Sequence, residues 1–175
     1  MKSINIKDMK KITLFLAFIG MITLQSCTVN DNQNVPDNDT ISEVFEYTNV
    51  NFQPNNYSAL LTYPHPIYTS DMVLVYRLSG TFQGEDVWKL QPETFFFDDG
   101  TLDFEYNFNF TRYDAEVYMN GFDLQTVSNQ FRLNQVFRVV VVPGYFGKMG
   151  ALKNKDYNTV IKALNIDESK IKKIN

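Results

Sequence analysis

Residues 101–110, TLDFEYNFNF, alternate strictly between apolar and polar side chains. Leu, Phe or Tyr stands at every even position, and Thr, Asp, Glu or Asn stands at every odd one. Because successive side chains of a β-strand point to opposite faces, this pattern predicts a strand with an aromatic face on a core and a polar face in water. Asp98, Asp99 and Gly100 precede the strand and tolerate positive φ, so together with residues 94–97 they predict a hairpin.

Other segments extend the β pattern along the chain. Residues 72–78 and 136–142 are apolar at nearly every position, which is typical of central strands buried on both faces. Three further segments have strand patterns: 43–52, 87–90 and 115–119. In the first of these the phase slips near Asn49, which predicts a β-bulge.

The pattern changes only near the C-terminus. Four apolar residues recur there at the spacing i, i+3, i+4 and i+7: Tyr157, Val160, Ile161 and Leu164. With Asp156 placed to cap them, they predict a short amphipathic helix. Asp167 is placed to cap a final turn or two carrying Ile171 and Ile174. The chain is therefore expected to fold as a mainly β protein, an antiparallel β-sandwich-like domain with a short C-terminal α-helix.

The N-terminus predicts an exported protein. Four lysines precede an uncharged apolar run of 12 residues, 12–23. A bilayer-spanning helix needs about 20 residues, whereas the hydrophobic region of a secretory signal has roughly 7–15. The residues that follow, Leu24-Gln25-Ser26-Cys27, resemble the lipobox of bacterial lipoproteins, although Gln25 departs from the small or β-branched residue usual there. The resemblance implies cleavage between Ser26 and Cys27 and acylation of Cys27.

Cys27 is the only cysteine of the chain. The alternative is an ordinary cleaved signal followed by an incidental cysteine, but an unpaired thiol is a liability in an oxidising compartment. Acylation consumes the thiol, and two or more acyl chains anchor a protein stably to a membrane. We therefore expect an outer-membrane lipid anchor. The periplasmic face is favoured over the cell surface because Asp31 is the only acidic residue close behind the cysteine.

These features divide the chain into a signal peptide (1–26), an acylated cysteine with a flexible tether (27–42) and a β-sandwich domain with a C-terminal helix (43–175). The tether is rich in Asn and Asp and has almost no large apolar side chains, so it cannot bury enough surface to offset its ordering entropy. Within it, Asp39-Thr40-Ile41 resembles the short O-glycosylation sequon of exported Bacteroidota proteins. Thr40 is therefore a candidate glycan acceptor.

The charge of the mature chain excludes one class of partner. The whole chain has 16 Lys and Arg and 20 Asp and Glu, and residues 1–26 account for four Lys and one Asp. Cleavage leaves 12 basic and 19 acidic side chains, a net charge of −7. Nucleic-acid binding calls for a basic surface, so no nucleic-acid partner is expected.

No motif predicts catalysis, a metal or a cofactor. His65 is the only histidine, and its position between two prolines indicates a surface loop. Residues 144–150, GYFGKMG, lack the spacing of a phosphate-binding loop. Paired carboxylates such as Asp98 and Asp99 lie at a turn and do not form the loop of a Ca²⁺ site. We expect a protein that is not an enzyme.

Aromatic residues are numerous, and most occupy inward strand positions. Five are less clearly inward: Tyr63, Tyr68, Trp88, Tyr113 and Tyr118. Exposed aromatic rings on a sandwich stack against sugar rings, so Trp88, Tyr113 and Tyr118 are candidates for glycan stacking.

Five segments resemble a family of small lipoproteins from Flavobacteriia and related Bacteroidota: 44–58, 70–78, 85–111, 134–146 and 156–171. The resemblance implies a bacterial group and an envelope location, and it implies no reaction. The leading hypothesis is a lipid-anchored envelope protein that acts as a non-catalytic binding or structural module facing another envelope protein or a surface glycan. One alternative is a glycan-binding module, and another is an envelope hydrolase that needs a base other than His65.

Overall fold

The computed structural model describes residues 41–148 and 152–175, and in it the predicted strands pair into two sheets. The signal peptide and most of the tether, with Ser26, Cys27 and Thr40, lie outside the described residues. The strands of the described part are β1 (Glu43–Val50), β2 (Ser58–Thr62), β3 (Met72–Phe82), β4 (Glu85–Leu90), β5 (Glu93–Phe96), β6 (Leu102–Phe110), β7 (Asp114–Gly121), β8 (Gln135–Val142) and β9 (Lys172–Ile174). The helices are α1 (Asn129–Arg132), α2 (Gly144–Lys148), α3 (Tyr157–Ala163) and the 3₁₀ turn Glu168–Lys170.

The two sheets have five and four strands. Sheet A has the order β4-β3-β8-β1-β9, and sheet B has the order β2-β7-β6-β5. Every paired neighbour runs antiparallel except β9, which lies parallel to β1. The predicted fold class, a mainly β sandwich-like domain with a short C-terminal helix, is confirmed.

The main core lies between the sheets. β6 alternates as predicted, so Phe104 and Tyr106 are buried and meet Val75 and Val139 from sheet A. Phe52, just after β1, packs between them at 5.5 Å from the Tyr106 ring. The inward-facing aromatic residues of β6 thus supply much of the core between the two sheets.

A second core lies on the other side of sheet A. Leu74 of β3 and Val140 of β8 point outward there and are covered by Val160 and Ile161 of α3. Strands β3 and β8 are therefore buried on both faces, as their continuous apolar sequence predicts. The layers run sheet B, sheet A, helix.

Local signals are confirmed at two places and wrong at a third. Asn49 has a φ of 57°, and the pairing of β1 with β8 shifts register there, which is the predicted bulge. The Asp156 carboxylate accepts from the Thr159 N–H at 3.0 Å and caps α3. Asp167 caps the 3₁₀ turn, but Ile174 lies in strand β9 and not in a helical turn, because residues 172–174 hydrogen-bond to the edge of β1.

Candidate functional site

The outer face of sheet B is a polar surface. α3 covers sheet A, whereas the outward side chains of the four strands of sheet B reach the surface. Strand register places them in three cross-strand rows, which we call the open face: Leu60, Glu116 and Asn109; Ser58, Tyr118 and Asn107; Asn120, Glu105 and Thr94.

The open face has a tyrosine between two amide–carboxylate pairs. Tyr118, which is half-buried, occupies the middle row beside Asn107. On one side, Asn109 Nδ2 donates to Glu116 Oε2 at 3.2 Å. On the other side, Asn120 Nδ2 donates to Glu105 Oε1 at 3.4 Å. Neighbouring rows on one face of a sheet are about 7 Å apart, so the two pairs flank the ring at equal spacing.

The charge of the open face is negative. Glu105 and Glu116 lie in its outer rows, Asp103 is the next outward residue of β6, and no lysine or arginine occupies an outward position of these four strands. An anionic polymer is repelled by such a surface, whereas a neutral polyhydroxylated ligand can pair its hydroxyls with the carboxylates and amides.

The three aromatic residues predicted for glycan stacking lie in three different places. Tyr118 is in the centre of the open face, and Tyr113 is exposed in the turn between β6 and β7. Trp88 is on β4 of sheet A, where its ring lies 5.5 Å from the Tyr157 ring and 4.1 Å from the Arg138 guanidinium carbon. The structure therefore does not bring the three together.

Arg138 is the centre of a buried ionic cluster under the C-terminal segment. Its guanidinium donates to Glu46 at 2.9 Å, to Glu168 at 2.8 Å and to the Tyr157 hydroxyl. Lys173 of β9 also pairs with Glu46 at 3.1 Å. Burial acts to raise the pKa of Glu46, but the hydrogen bonds from Arg138 and Lys173 outweigh it and hold that pKa below its usual range. The cluster joins β1, β8 and the C-terminal segment.

Arg77 is buried in the main core near the end of sheet B. Its Nε donates to Glu93 at 2.9 Å, and its guanidinium lies 4.9 Å from the Tyr106 ring. Its Nη1 donates to the side-chain amide oxygen of Gln135, Oε1, at 3.1 Å. Both buried arginines are thus engaged in holding strands together.

His65 and Glu43 are in contact, and both line two adjoining cavities. The His65 Nε2 and Glu43 Oε2 atoms lie 3.0 Å apart, and both residues line cavities of about 230 and 640 Å³. Ser42 also lines the larger cavity, and its buried hydroxyl has no hydrogen-bond partner among the residues that the structure describes. The pair and the hydroxyl therefore do not form the nucleophile–base contact that a hydrolase needs.

Two kinds of site have no counterpart in the described part of the chain. Residues 41–148 and 152–175 contain no group of three or more His, Cys, Asp or Glu that is arranged to hold a metal ion. No helix among the same residues is both long and apolar enough to cross a bilayer.

Sequence reasoning identified Tyr118 but not the residues that surround it. The polar positions of residues 101–110 include Asn107, Asn109 and Glu105, so the alternation in the sequence already predicted that these side chains lie on one polar face of the strand. The alternation did not predict the strand register, which places Asn109 beside Glu116 and Glu105 beside Asn120.

Comparison with protein-family models, with curated proteins and with solved structures gave no match to this chain.

Proposed function

We propose that this chain is a lipid-anchored protein of the bacterial cell envelope that acts as a non-catalytic binding module, and that its ligand is a neutral surface glycan. The open face of sheet B is the binding surface. The acyl chains on Cys27 hold the domain at the membrane, where envelope polysaccharides are within reach.

The observation that carries the proposal is the arrangement around Tyr118. An aromatic ring offers an apolar surface to the C–H face of a sugar, and amides and carboxylates in plane with it accept and donate hydrogen bonds to the hydroxyls. The Asn109–Glu116 and Asn120–Glu105 pairs supply those groups on both sides of the ring. The negative charge of the face favours a neutral ligand over an anionic one.

The lipid anchor is supported by the sequence. Residues 12–23 have the length of a signal, and Leu24-Gln25-Ser26-Cys27 resembles a lipobox. Intact mass and membrane fractionation of the native protein beside Cys27→Ala test this part. Added acyl mass and membrane sedimentation are expected for the wild type only, and an unmodified thiol or an uncleaved N-terminus would contradict it.

Retention of the protein in native gels containing neutral polysaccharides tests the binding surface. Tyr118→Ala should lose affinity about tenfold, because a stacked ring contributes roughly 0.5–1.5 kcal/mol beyond the area that it buries. Trp88→Ala is unsuitable, since Trp88 packs on Arg138 and Tyr157 and its loss perturbs the second core.

Tyr68→Ala is the matched control, because Tyr68 is 60% exposed and lies outside the open face. It should be retained like the wild type. Equal retention of Tyr118→Ala and the wild type, or no retention of the wild type on any neutral polysaccharide of the panel, would contradict glycan binding at this face.

A further inference from the structure

Large apolar side chains are exposed at one end of the sandwich, where the described chain begins. We call this end, defined by the residues that follow, the anchor end: Ile41, Tyr68, Met72, Phe110, Tyr113 and Tyr145. Each of the six is between 44% and 73% exposed. They come from four separate segments, so no local sequence pattern accounts for their occurring together.

Backbone contacts bring these segments side by side. The Ile67 N–H donates to the Arg112 carbonyl at 2.8 Å, and Arg112 Nε donates back to the Ile67 carbonyl at 2.9 Å. These bonds fix the loop that carries Tyr68 against the turn that carries Tyr113. Ile41 lines the same cavity as Tyr68.

The start of α2 is packed against the same loop. A Cβ atom at Gly144 would lie 2.6 Å from the Ser70 carbonyl oxygen, so only glycine allows this approach. Tyr145 follows directly and is 48% exposed. Met72 begins β3 and pairs with Val142, the last residue of β8. All six side chains therefore surround one end of both sheets.

The distance to the anchor favours a lipid surface as the occupant of this end. Thirteen residues, 28–40, lie between Cys27 and Ile41. A coil of this length spans about 20 Å and a fully extended chain about 50 Å. A folded domain of about 135 residues has a radius of gyration of about 14 Å and hence a diameter of roughly 35 Å. An anchor at Cys27 limits Ile41 to about 50 Å from the bilayer at full extension, so the end that carries Ile41 is the end of the domain that is tethered to it.

The chemistry of the anchor end fits the interface of a bilayer. Tyrosine rings are enriched at headgroup depth, where the ring is in an apolar layer and the hydroxyl is in a wet one. Both signs of charge lie among the tyrosines, with Arg112 on one side and Glu43, Asp71 and Asp114 on the other.

The opposite end of the sandwich differs in residue type. Its exposed rings are phenylalanines, Phe96, Phe97 and Phe122, the last 91% exposed. Asp98, Asp99 and Asp123 stand beside them in the chain. The two ends therefore provide an internal comparison between exposed tyrosines and exposed phenylalanines.

We infer that the anchor end is a membrane-contacting surface, on which Tyr68, Tyr113 and Tyr145 enter the headgroup layer. This contact holds the open face of sheet B perpendicular to the plane of the membrane. This inference rests on the proposed anchor at Cys27. It adds a fixed orientation to the proposed function. In this orientation the open face is accessible to polymers that extend from the membrane.

Footprinting on vesicles tests the orientation. The chain from Cys27 onward, which contains every residue of both described cores, is coupled through its single thiol to maleimide-headgroup lipid in phosphatidylcholine vesicles. The reference is the same protein capped with N-ethylmaleimide beside plain vesicles. Hydroxyl-radical labelling of the three tyrosines should fall at least about threefold on coupling, because a ring in the headgroup layer loses most of its contact with water. Labelling of Phe96 and Phe122 should not change.

Met72 is the reporter for variants. Its oxidation should be suppressed in the coupled wild type and restored when Tyr68, Tyr113 and Tyr145 are all changed to Ser. The matched triple variant Phe96→Ser, Phe97→Ser, Phe122→Ser should keep Met72 protected. Unfolding midpoints of both variants show whether each is folded.

Three results would overturn the inference. The first is equal labelling of the two ends after coupling, and the second is protection of the phenylalanine end. The third is tyrosine protection that is already present in the capped protein and grows with its concentration, which would assign the surface to a second copy of the chain. Because coupling is chemical, absence of native acylation or of glycan binding leaves this result unaffected and is detected by the mass and gel experiments instead.

Discussion

At the scale of single residues, Arg138 is where a buried charge most constrains the fold. Its side chain is enclosed by Trp88, Tyr157 and Glu46, from three different elements. A buried ion pair contributes little net stability by itself, but removing one partner leaves the other charge without compensation in a poorly solvating environment. Glu46 is in that position, with only 7% of its side chain exposed.

Arg138→Met should lower the free energy of unfolding by about 3 kcal/mol, at the lower end of the range for broken buried pairs, since Lys173 still contacts Glu46. Denaturant unfolding at pH 7 measures the change. The double variant Glu46→Gln, Arg138→Met should recover part of the lost free energy of unfolding, because the carboxylate that has lost its arginine partner is removed. Lys170→Met, which breaks an ion pair whose lysine is 81% exposed, is the control and should have no measurable effect. A loss in the double variant as large as in Arg138→Met would show that charge is not the cause.

The same residue explains a limit of the sequence reasoning. Trp88 and Tyr118 both appeared as aromatics without a clear inward assignment, yet Trp88 is covered by Arg138 and Tyr157 while Tyr118 lies on the open face. The difference arises because α3 packs on sheet A and not on sheet B. Strand patterns assign side chains to two faces of a strand, and they contain no information on which face a distant helix covers.

At the scale of elements, prediction succeeded where a pattern was long. The alternation of β6 and the apolar runs of β3 and β8 gave both their existence and their burial. β2 was missed because its five residues, SALLT, do not alternate clearly, and β9 because three residues of a lysine-rich tail carry no strand period. Both short strands exist through pairing with partners distant in sequence, which a local pattern cannot register.

β9 protects an edge. It pairs with residues Phe45–Tyr47 of β1, and Ile174 packs against the main core. An uncovered apolar edge strand is a template for pairing with another chain. The C-terminal segment therefore acts as both a cover for β1 and the source of Lys173 for the ionic cluster.

Deleting residues 172–175 should lower the melting temperature and cause self-association. The exposed edge of β1 explains the association, and the lost Ile174 contact explains part of the destabilisation. Analytical ultracentrifugation and thermal melts measure the two effects. Ile174→Ala, which keeps the backbone pairing, should be destabilised but monomeric like the wild type. A deletion variant with the sedimentation behaviour of the wild type at all concentrations would contradict the edge-covering role.

At the scale of the whole molecule, the three layers of the described part bury five tyrosine side chains. Tyr47, Tyr63 and Tyr106 lie in the core between the sheets, and Tyr76 and Tyr157 lie in the core between sheet A and α3. Burial raises the pKa of all five above the ordinary value of about 10. The phenols are thus distributed over both cores, so their titration is coupled to global unfolding and not to the opening of one element.

Alkaline pH should unfold the domain cooperatively. The folded state keeps phenol protons that the unfolded chain releases near pH 10. The contribution of these protons to the free energy of unfolding is therefore complete below pH 10 and is lost as the pH rises above it. The loss is up to about 1.4 kcal/mol per pH unit for each buried tyrosine. Guanidinium midpoints between pH 8 and pH 11 should therefore fall steeply above pH 10, and the phenolate absorbance of these five residues should appear together with the loss of near-ultraviolet circular dichroism. Tyr63→Phe is a suitable comparison, because the buried Tyr63 hydroxyl has no hydrogen-bond partner within residues 41–148 and 152–175. The variant should keep its stability at pH 7 and lose less of it at high pH. Full phenolate absorbance from all ten tyrosines while the circular dichroism is still native would refute the coupling, because it would mean that water reaches both cores without unfolding.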